Sequence, residues 1–360
     1  MPDRADALAR AAALRKRFED LGAQVVETPI LQPAEVLLDL YGEDIRARAY
    51  VTSDALRGEQ MLRPDFTVPV VQMHMTQGAE PARYTYSGEV FRRQELDEDR
   101  ANEYLQVGYE VFDRNDVAAA DAEVFAQIKE AVAGLQLRAA TGDIGILMAA
   151  VRGLSTTEAR RAALMRHIWR PRRFRSLLNR YAGRVAPSPR RQALLAAGDP
   201  FEGAGPFNGV RDKAEIAARI DALREDAAAA PIAAQEMAGI EALLKVRETL
   251  PFALERLRDI AVDLPSITPA LDRLEARTEA LAARNVDVAN LDFEASFGRT
   301  SMEYYDGFVF GFYAEQAPDL PPIATGGRYD ALTRHLGRGA EIPAVGGVLR
   351  PGLILQLERM

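Results

Sequence analysis

Ala7, Ala11, Leu14, Phe18 and Leu21 recur at helical spacing and stop at Gly22, so the chain opens with an amphipathic helix. Gln24 to Leu31 reads as a strand interrupted by Pro29. Proline removes a ladder donor, which places that strand at a sheet edge or a subunit interface. Gln60 to Thr67 predicts another strand running into a helix, with Thr67 as its N-cap and Pro69 in the first turn. Extended geometry there turns Asp65 and Thr67 the same way. The strongest strand pattern lies in Arg83–Gln94 and Glu103–Asp113, two β-branched and aromatic runs that predict an antiparallel hairpin. Its connection, residues 95–102, is long and polar: a loop reaching over a ligand site, or a merely solvated one. Period-two alternation sets Gln106, Gly108 and Glu110 on one face of the second strand, with Leu105, Val107, Tyr109 and Val111 on the other. A glycine between an amide and a carboxylate marks the close approach of a ligand or of another part of the chain, or else a bulge on a solvent-facing strand.

Beyond the hairpin the pattern turns helical. Asp121 to Leu135 is amphipathic, and Gly142 to Met148 suggests a short apolar strand. Arginine recurs from Thr156 to Arg191, either as a docking face for an RNA backbone or acidic partner or as a solvated or protein-contacting helical face. The second reading is preferred. A Gly/Pro-rich break, 198–209, precedes Ala-rich helices that run to about Arg284. Strands return near Val288, first at Leu291–Phe297 and then at Met302–Tyr313. The even positions Met302, Tyr304, Phe308, Phe310 and Phe312 of the latter are bulky, while the odd ones give Tyr305, Gly307, Val309 and Gly311. Two glycines beside Tyr305 suggest a cleft floor, or relief of crowding against a helix. Thr325–Asp330 reads as a Gly-Gly turn before a helix, Ala331–Leu336, and Pro343–Val348 as a last small-residue strand.

A chain of 360 residues with 48% hydrophobic and 27% charged residues is an ordinary globular composition, with room for about two domains. No apolar run reaches bilayer length and the first residues lack an export-signal pattern, so a cytoplasmic location is expected. The absence of cysteine excludes disulfides and thiolate chemistry. Three scattered histidines, His74, His167 and His335, argue against a zinc site or a catalytic triad. The net charge of −8 weighs against a general nucleic-acid binder. Only four lysines occur, so arginine carries nearly all the positive charge and its clusters mean less than usual.

Taken together these stretches resemble the core of histidyl-tRNA synthetase, a class II aminoacyl-tRNA synthetase. Leu62-Arg-Pro-Asp-Phe-Thr67 is similar to that family's Leu-Arg-Pro-Glu-Gly-Thr segment. Phe91-Arg92, with the return strand Gln106-Val-Gly-Tyr-Glu110, is similar to its motif 2. Tyr304-Tyr305 with Val309-Phe310 is similar to the histidine-specific block, and Gly326–Asp330 with Pro343–Gly346 to the approach to motif 3. Three departures stand out. The sequence ends at Met360 with no anticodon-binding domain expected. Leucine stands where the motif 3 arginine belongs, with Arg350 three positions early and Pro351 set to disturb the next helix. Thr300 occupies a second arginine position, with Arg299 one residue out of register. The loop acids Glu95, Asp97, Glu98 and Asp99 would also repel ATP and tRNA.

An intact amino-acid half beside an eroded nucleotide half resembles the synthetase paralogues that form the regulatory subunits of ATP phosphoribosyltransferase. The resemblance implies an α+β class II core at 1–150 and 286–360, an antiparallel sheet flanked by helices, with a mainly helical insertion at 151–285. It implies no catalytic residue, cofactor or metal and no aminoacylation. The partners it implies are a short-form catalytic phosphoribosyltransferase subunit and a second copy of the chain through the Pro29 strand, within a hetero-octamer-like assembly, with tRNA not among them. L-Histidine would be the feedback effector. For histidine, Asp65, Thr67 and Gln106 suit the ammonium, Arg92 the carboxylate and Glu110 an imidazole N–H, while Tyr304, Tyr305 and Tyr329 belong to the same pocket and the last two wall the ring or bond its second nitrogen. The rival readings are a truncated enzyme that forms histidyl-adenylate, an RNA-binding module built on the 156–191 arginines, and a scaffold whose pocket is empty.

Overall fold

The computed structural model describes residues 3–41, 48–94, 100–299 and 304–360. Its frame is a nine-stranded sheet in the order β1 (Gln24–Val25), β5 (Ala82–Phe91), β6 (Glu103–Phe112), β12 (Ala344–Leu349), β11 (Ala324–Arg328), β10 (Phe308–Ala314), β7 (Leu137–Asp143), β9 (Asp292–Glu294) and β8 (Arg247–Thr249). The β1–β5 and β7–β9 pairs are parallel and the rest antiparallel. A second, three-stranded sheet orders β2 (Leu31–Pro33), β4 (Gly58–Leu62) and β3 (Val51–Asp54). The helices are α1 (Arg4–Asp20), α2 (Ala34–Tyr41), α3 (Thr67–Gln77), α4 (Val117–Ala131), α5 (Ile144–Arg152), α6 (Glu158–Arg166), α7 (Pro171–Tyr181), α8 (Pro189–Ala196), α9 (Lys213–Ala228), α10 (Ala234–Leu243), α11 (Leu250–Asp263), α12 (Thr268–Ala283), α13 (Asp330–Leu336) and α14 (Pro351–Glu358). A mostly antiparallel sheet flanked by helices is the α+β arrangement that the resemblance implied.

The central hairpin forms as the alternation predicts, with Ala82 opposite Phe112 and Phe91 opposite Glu103. Its apolar face packs on α1, where Phe18 stacks on Tyr109 at 5.0 Å between ring centroids. Behind β12 and β10 lies α4, whose Phe125 meets Phe310 and Phe312. Arg277 of α12 pairs with Asp143 at 2.7 Å and with Asp121 of α4 at 3.2 Å. Arg328 of β11 pairs with Asp121 at 2.7 Å. All four side chains are buried, so one charged network ties α12, α4, the end of β7 and β11 together, and losing any one member would strand a partner's charge.

Several elements depart from expectation for identifiable reasons. The Gln24–Leu31 strand is divided: β1 and β2 join different sheets, and Pro29 lies in the coil between them. Asp143 accepts a hydrogen bond from the Gly145 N–H at 2.8 Å, which turns Ile144–Met148 into a helix rather than a strand. A short all-apolar run carries no period that separates the two. The expected helix at 121–135 starts earlier, because Asp116 caps Ala119 at 2.9 Å. Thr325–Arg328 is strand, not turn. Gly326 suits that position because a Cβ there would lie 2.3 Å from the Phe310 ring and 2.4 Å from the Gly346 carbonyl oxygen. Pro351 starts α14 at its first turn, where the missing N–H costs nothing, instead of disturbing it. The strand expected from Met302 begins only at Phe308; Met302 and Thr300 lie outside the described residues.

Asp116→Ala is expected to lower global stability by about 1 kcal/mol, the usual cost of removing an N-cap, measured by urea unfolding.

Candidate functional site

A cavity of about 390 Å³ opens on the sheet face opposite α1 and α4. That volume suits a small polar molecule. Asp65, Thr67, Arg92, Gln106, Glu110, Tyr304, Tyr305 and Tyr329 all line it, so the structure brings together the eight positions singled out from the sequence.

Glu110 is its centre, 1% exposed. Oε1 accepts from the Tyr86 hydroxyl at 2.7 Å and from Thr67 Oγ1 at 3.2 Å, and Oε2 accepts from the Tyr329 hydroxyl at 2.5 Å. Burial pushes the carboxyl up to about 7, against the pull of these three hydroxyl donors, so the charge change falls near neutrality. Burial and the neighbouring Glu110 charge also hold the Tyr86 and Tyr329 hydroxyls in their neutral, donating form. A carboxylate offers about four acceptor positions, and three are taken.

Thr67 is free to bond Glu110 because it does not cap its helix: α3 has no side-chain cap at its N-cap residue, Phe66, and the Asp65 Oδ1 accepts instead from the Val68 N–H at 3.3 Å. The Thr67 N-cap expectation is thereby corrected, while the shared orientation of Asp65 and Thr67 holds. Gln106 is 1% exposed, and neither amide atom has a hydrogen-bond partner among the described residues. A buried amide with a donor and an acceptor both unmet is costly unless something fills the space before it. Arg92 donates from Nε to the Pro64 carbonyl at 2.7 Å, which fixes its stem at the cavity rim. The Tyr304 and Tyr305 rings meet edge to face at 4.9 Å, and Tyr304 meets Tyr329 at 6.1 Å. Tyr305 lies over Gly327, where a Cβ would be 2.8 Å from its ring, and not between Gly307 and Gly311 on a strand.

Two residues escaped the sequence reading. Tyr86 sits opposite Gly108 in the hairpin register, and a Cβ on Gly108 would lie 2.0 Å from its ring. The gap between Gln106 and Glu110 is therefore filled by Tyr86. The signal was present in the pairing of β5 with β6, which a one-strand alternation cannot show. Arg350 is the other: expected out of place, it lines the cavity, close enough to Arg92 for their charges to oppose each other, and donates to the Pro322 carbonyl and to Thr325 Oγ1 at 3.5 Å. Arg299 does not join them. It is buried against α7, donating from Nε to the Ile168 carbonyl at 2.8 Å. The loop acids 95–99 lie outside the described residues.

Residues 1–229 and 213–352 match the family model described as histidyl-tRNA synthetase. Proteins of Brucella anthropi and Brucella ovis named ATP phosphoribosyltransferase regulatory subunit are 34% and 33% identical to it over 358 residues, each comparison covering 93% of both chains. The chain belongs to this regulatory-subunit family, on a histidyl-tRNA synthetase-like fold. Solved structures agree on the architecture. An ATP phosphoribosyltransferase regulatory subunit/histidyl-tRNA synthetase from Bacillus halodurans superposes with a TM-score of 0.69 at 20% identity, covering 99% of this chain and 80% of that one. Histidyl-tRNA synthetase from Nostoc gives 0.62 at 19% identity, with 98% and 72% covered. The class II fold is thus established for this member of the regulatory-subunit family. Among the described residues, no helix is long and apolar enough to cross a membrane.

Proposed function

We propose that the chain is the non-catalytic regulatory subunit of an ATP phosphoribosyltransferase: it activates a short-form catalytic subunit and relays feedback inhibition by free L-histidine bound in the cavity. The relatives' names support the first part, and one observation carries the second. Glu110 keeps a single acceptor position open next to Gln106, whose amide has both a donor and an acceptor unmet. An imidazole N–H suits the first, and an amino acid's ammonium suits the Gln106 oxygen together with the Asp65 carboxylate. Arg92 and Arg350 at the other side suit its carboxylate. A pocket of unmet polar atoms rejects apolar isosteres, because those atoms stay unpaired.

For inhibition, histidine must favour one arrangement of the complex, and a coupling of about 1–3 kcal/mol changes the partner's behaviour about five- to 150-fold. We assign residues 1–150 and 286–360 to the synthetase-like core and 151–285 to a helical insertion, with a cytoplasmic location and a dimer formed near Pro29.

Calorimetry is expected to show histidine binding to the isolated chain. The short-form transferase is expected to be active only with the chain present and to be inhibited by histidine in that complex alone. No histidine heat, together with unchanged transferase activity, would remove the proposal. The convergence of Arg92 and Arg350 favours one competing reading, an adenylate-forming enzyme. Histidine-dependent ATP–pyrophosphate exchange, which we expect to be absent, decides between them.

A further inference from the structure

Eleven arginines lie between Thr156 and Arg191, and eight of them fall into two contrasting groups. Arg160 and Arg191 share Asp226, Arg161 pairs with Glu158, and Arg184 with Glu241. Arg166, Arg172, Arg173 and Arg175 are exposed and have no acidic partner among the described residues. Arg172 and Arg173 occupy the first turn of α7, which has no acidic residue there and no side-chain cap at its N-cap residue, Arg170. Basic residues at that end oppose the helix dipole; Pro171 has no N–H and the Phe174 N–H bonds the Arg170 carbonyl at 2.9 Å, which leaves the Arg172 and Arg173 amides as the first-turn donors.

A second observation points the same way. Arg299 is 5% exposed; its Nε bonds the Ile168 carbonyl, its guanidinium lies 4.9 Å from the centroid of the Phe174 ring in the first turn of α7, and Nη2 has no partner among the described residues. The indole N–H of Trp169, one residue from Ile168, is likewise buried without a partner, as is Nδ1 of His167. Burial chiefly, with help from Arg175, pushes the Arg299 guanidinium down to about 10. His167 is lowered by burial and by Arg170, Arg173 and Arg166. Arg166, Arg172, Arg173 and Arg175 thus concentrate positive charge around the start of α7, in a chain that carries a net −8 overall.

We propose that the first turn of α7, Arg299 and the Trp169 indole form a binding site for a phosphoryl anion, separate from the histidine cavity and independent of the reading given to it. One carboxylate has too little charge and too few acceptor positions for the donors gathered here. A phosphate or diphosphate group accepts from helix amides and guanidinium forks at once. An acidic protein segment is the alternative occupant.

Trp169 is the only tryptophan, so its emission reports directly on this place. Titrating the full chain with inorganic pyrophosphate at constant ionic strength is expected to give a saturable change in that emission. The exposed double variant R172Q/R173Q, with its thermal unfolding unchanged, is expected to weaken binding at least about tenfold, the equivalent of one charge-assisted hydrogen bond. R299Q should do the same if it folds. No saturable response, an equal response to sodium chloride, or full binding by R172Q/R173Q overturns the site. So does a response to a glutamate-rich peptide with none to pyrophosphate. A short RNA that binds more tightly than pyrophosphate, with steep salt dependence, would assign the phosphates to a nucleic-acid backbone; weaker binding would assign them to a small free anion.

Discussion

Glu110→Gln is expected to abolish inhibition by histidine while leaving activation of the catalytic partner in place. Glutamine keeps the shape of the side chain but turns one acceptor atom into a donor, so one of the hydroxyl bonds from Tyr86, Thr67 and Tyr329 is lost together with the acceptor for the imidazole N–H. Glu110→Ala is expected to give the same loss of histidine response at a larger cost in stability, because each stranded hydroxyl adds about 1–3 kcal/mol. The isosteric variant also changes the pH profile. An acid whose folded value is pushed up to about 7, from an ordinary value near 4.5, binds its proton more tightly in the native state. Its contribution is fully present below about pH 4.5 and is lost as pH rises through 7, at up to about 1.4 kcal/mol per pH unit. Urea unfolding between pH 5 and 8 should therefore show the wild type losing stability with pH relative to Glu110→Gln, while the lowered His74 and His167 act in the opposite sense in both proteins. Some slope will remain, since burial and Asp330 push Asp306 up to about 7 as well. Should Glu110→Gln stay fully inhibitable by histidine at the wild-type concentration, the effector binds elsewhere.

How much of this was readable in the chain depended on the range of the forces involved. Local periodicity found α1, the β5–β6 hairpin and the polar face of β6, because each is set by neighbours a few residues apart. The eight cavity residues were reached through motif resemblance and strand parity together, and all eight line one cavity. What stayed hidden was set by partners far along the chain. Thr67 looked like a cap because its partner, Glu110, lies 43 positions on. Ile144–Met148 looked like a strand because its apolar residues are buried on all sides and only the Asp143 cap marks the turn. Arg350 looked misplaced because an offset counted along the sequence ignores how β12 aims its end, which is set by pairing with β6 and β11. Tyr86 required the register between two strands.

The same register makes Gly346→Ala the most damaging small change to the site. Gly346 pairs with Glu110 across β12 and β6, and a Cβ there would lie 1.4 Å from Oε2. The end of an exposed glutamate would simply swing away. This one is enclosed and fastened by three hydroxyls, so making room means breaking some of those bonds or separating the strands. Overpacking costs about 1–3 kcal/mol and each charge-assisted bond about 1.5–3, so a loss of about 3–5 kcal/mol is expected, with histidine binding gone. Gly352→Ala, in the first turn of α14 with nothing within 4 Å of the new Cβ, should leave stability within about 1 kcal/mol of wild type and histidine binding intact. Combining Gly346→Ala with Glu110→Ala separates the causes. Removing the carboxylate takes away the clash, so the double variant should be less destabilised than the two single losses added together. Strict additivity in urea unfolding would mean that Gly346 is required for some reason other than the carboxylate lying against it.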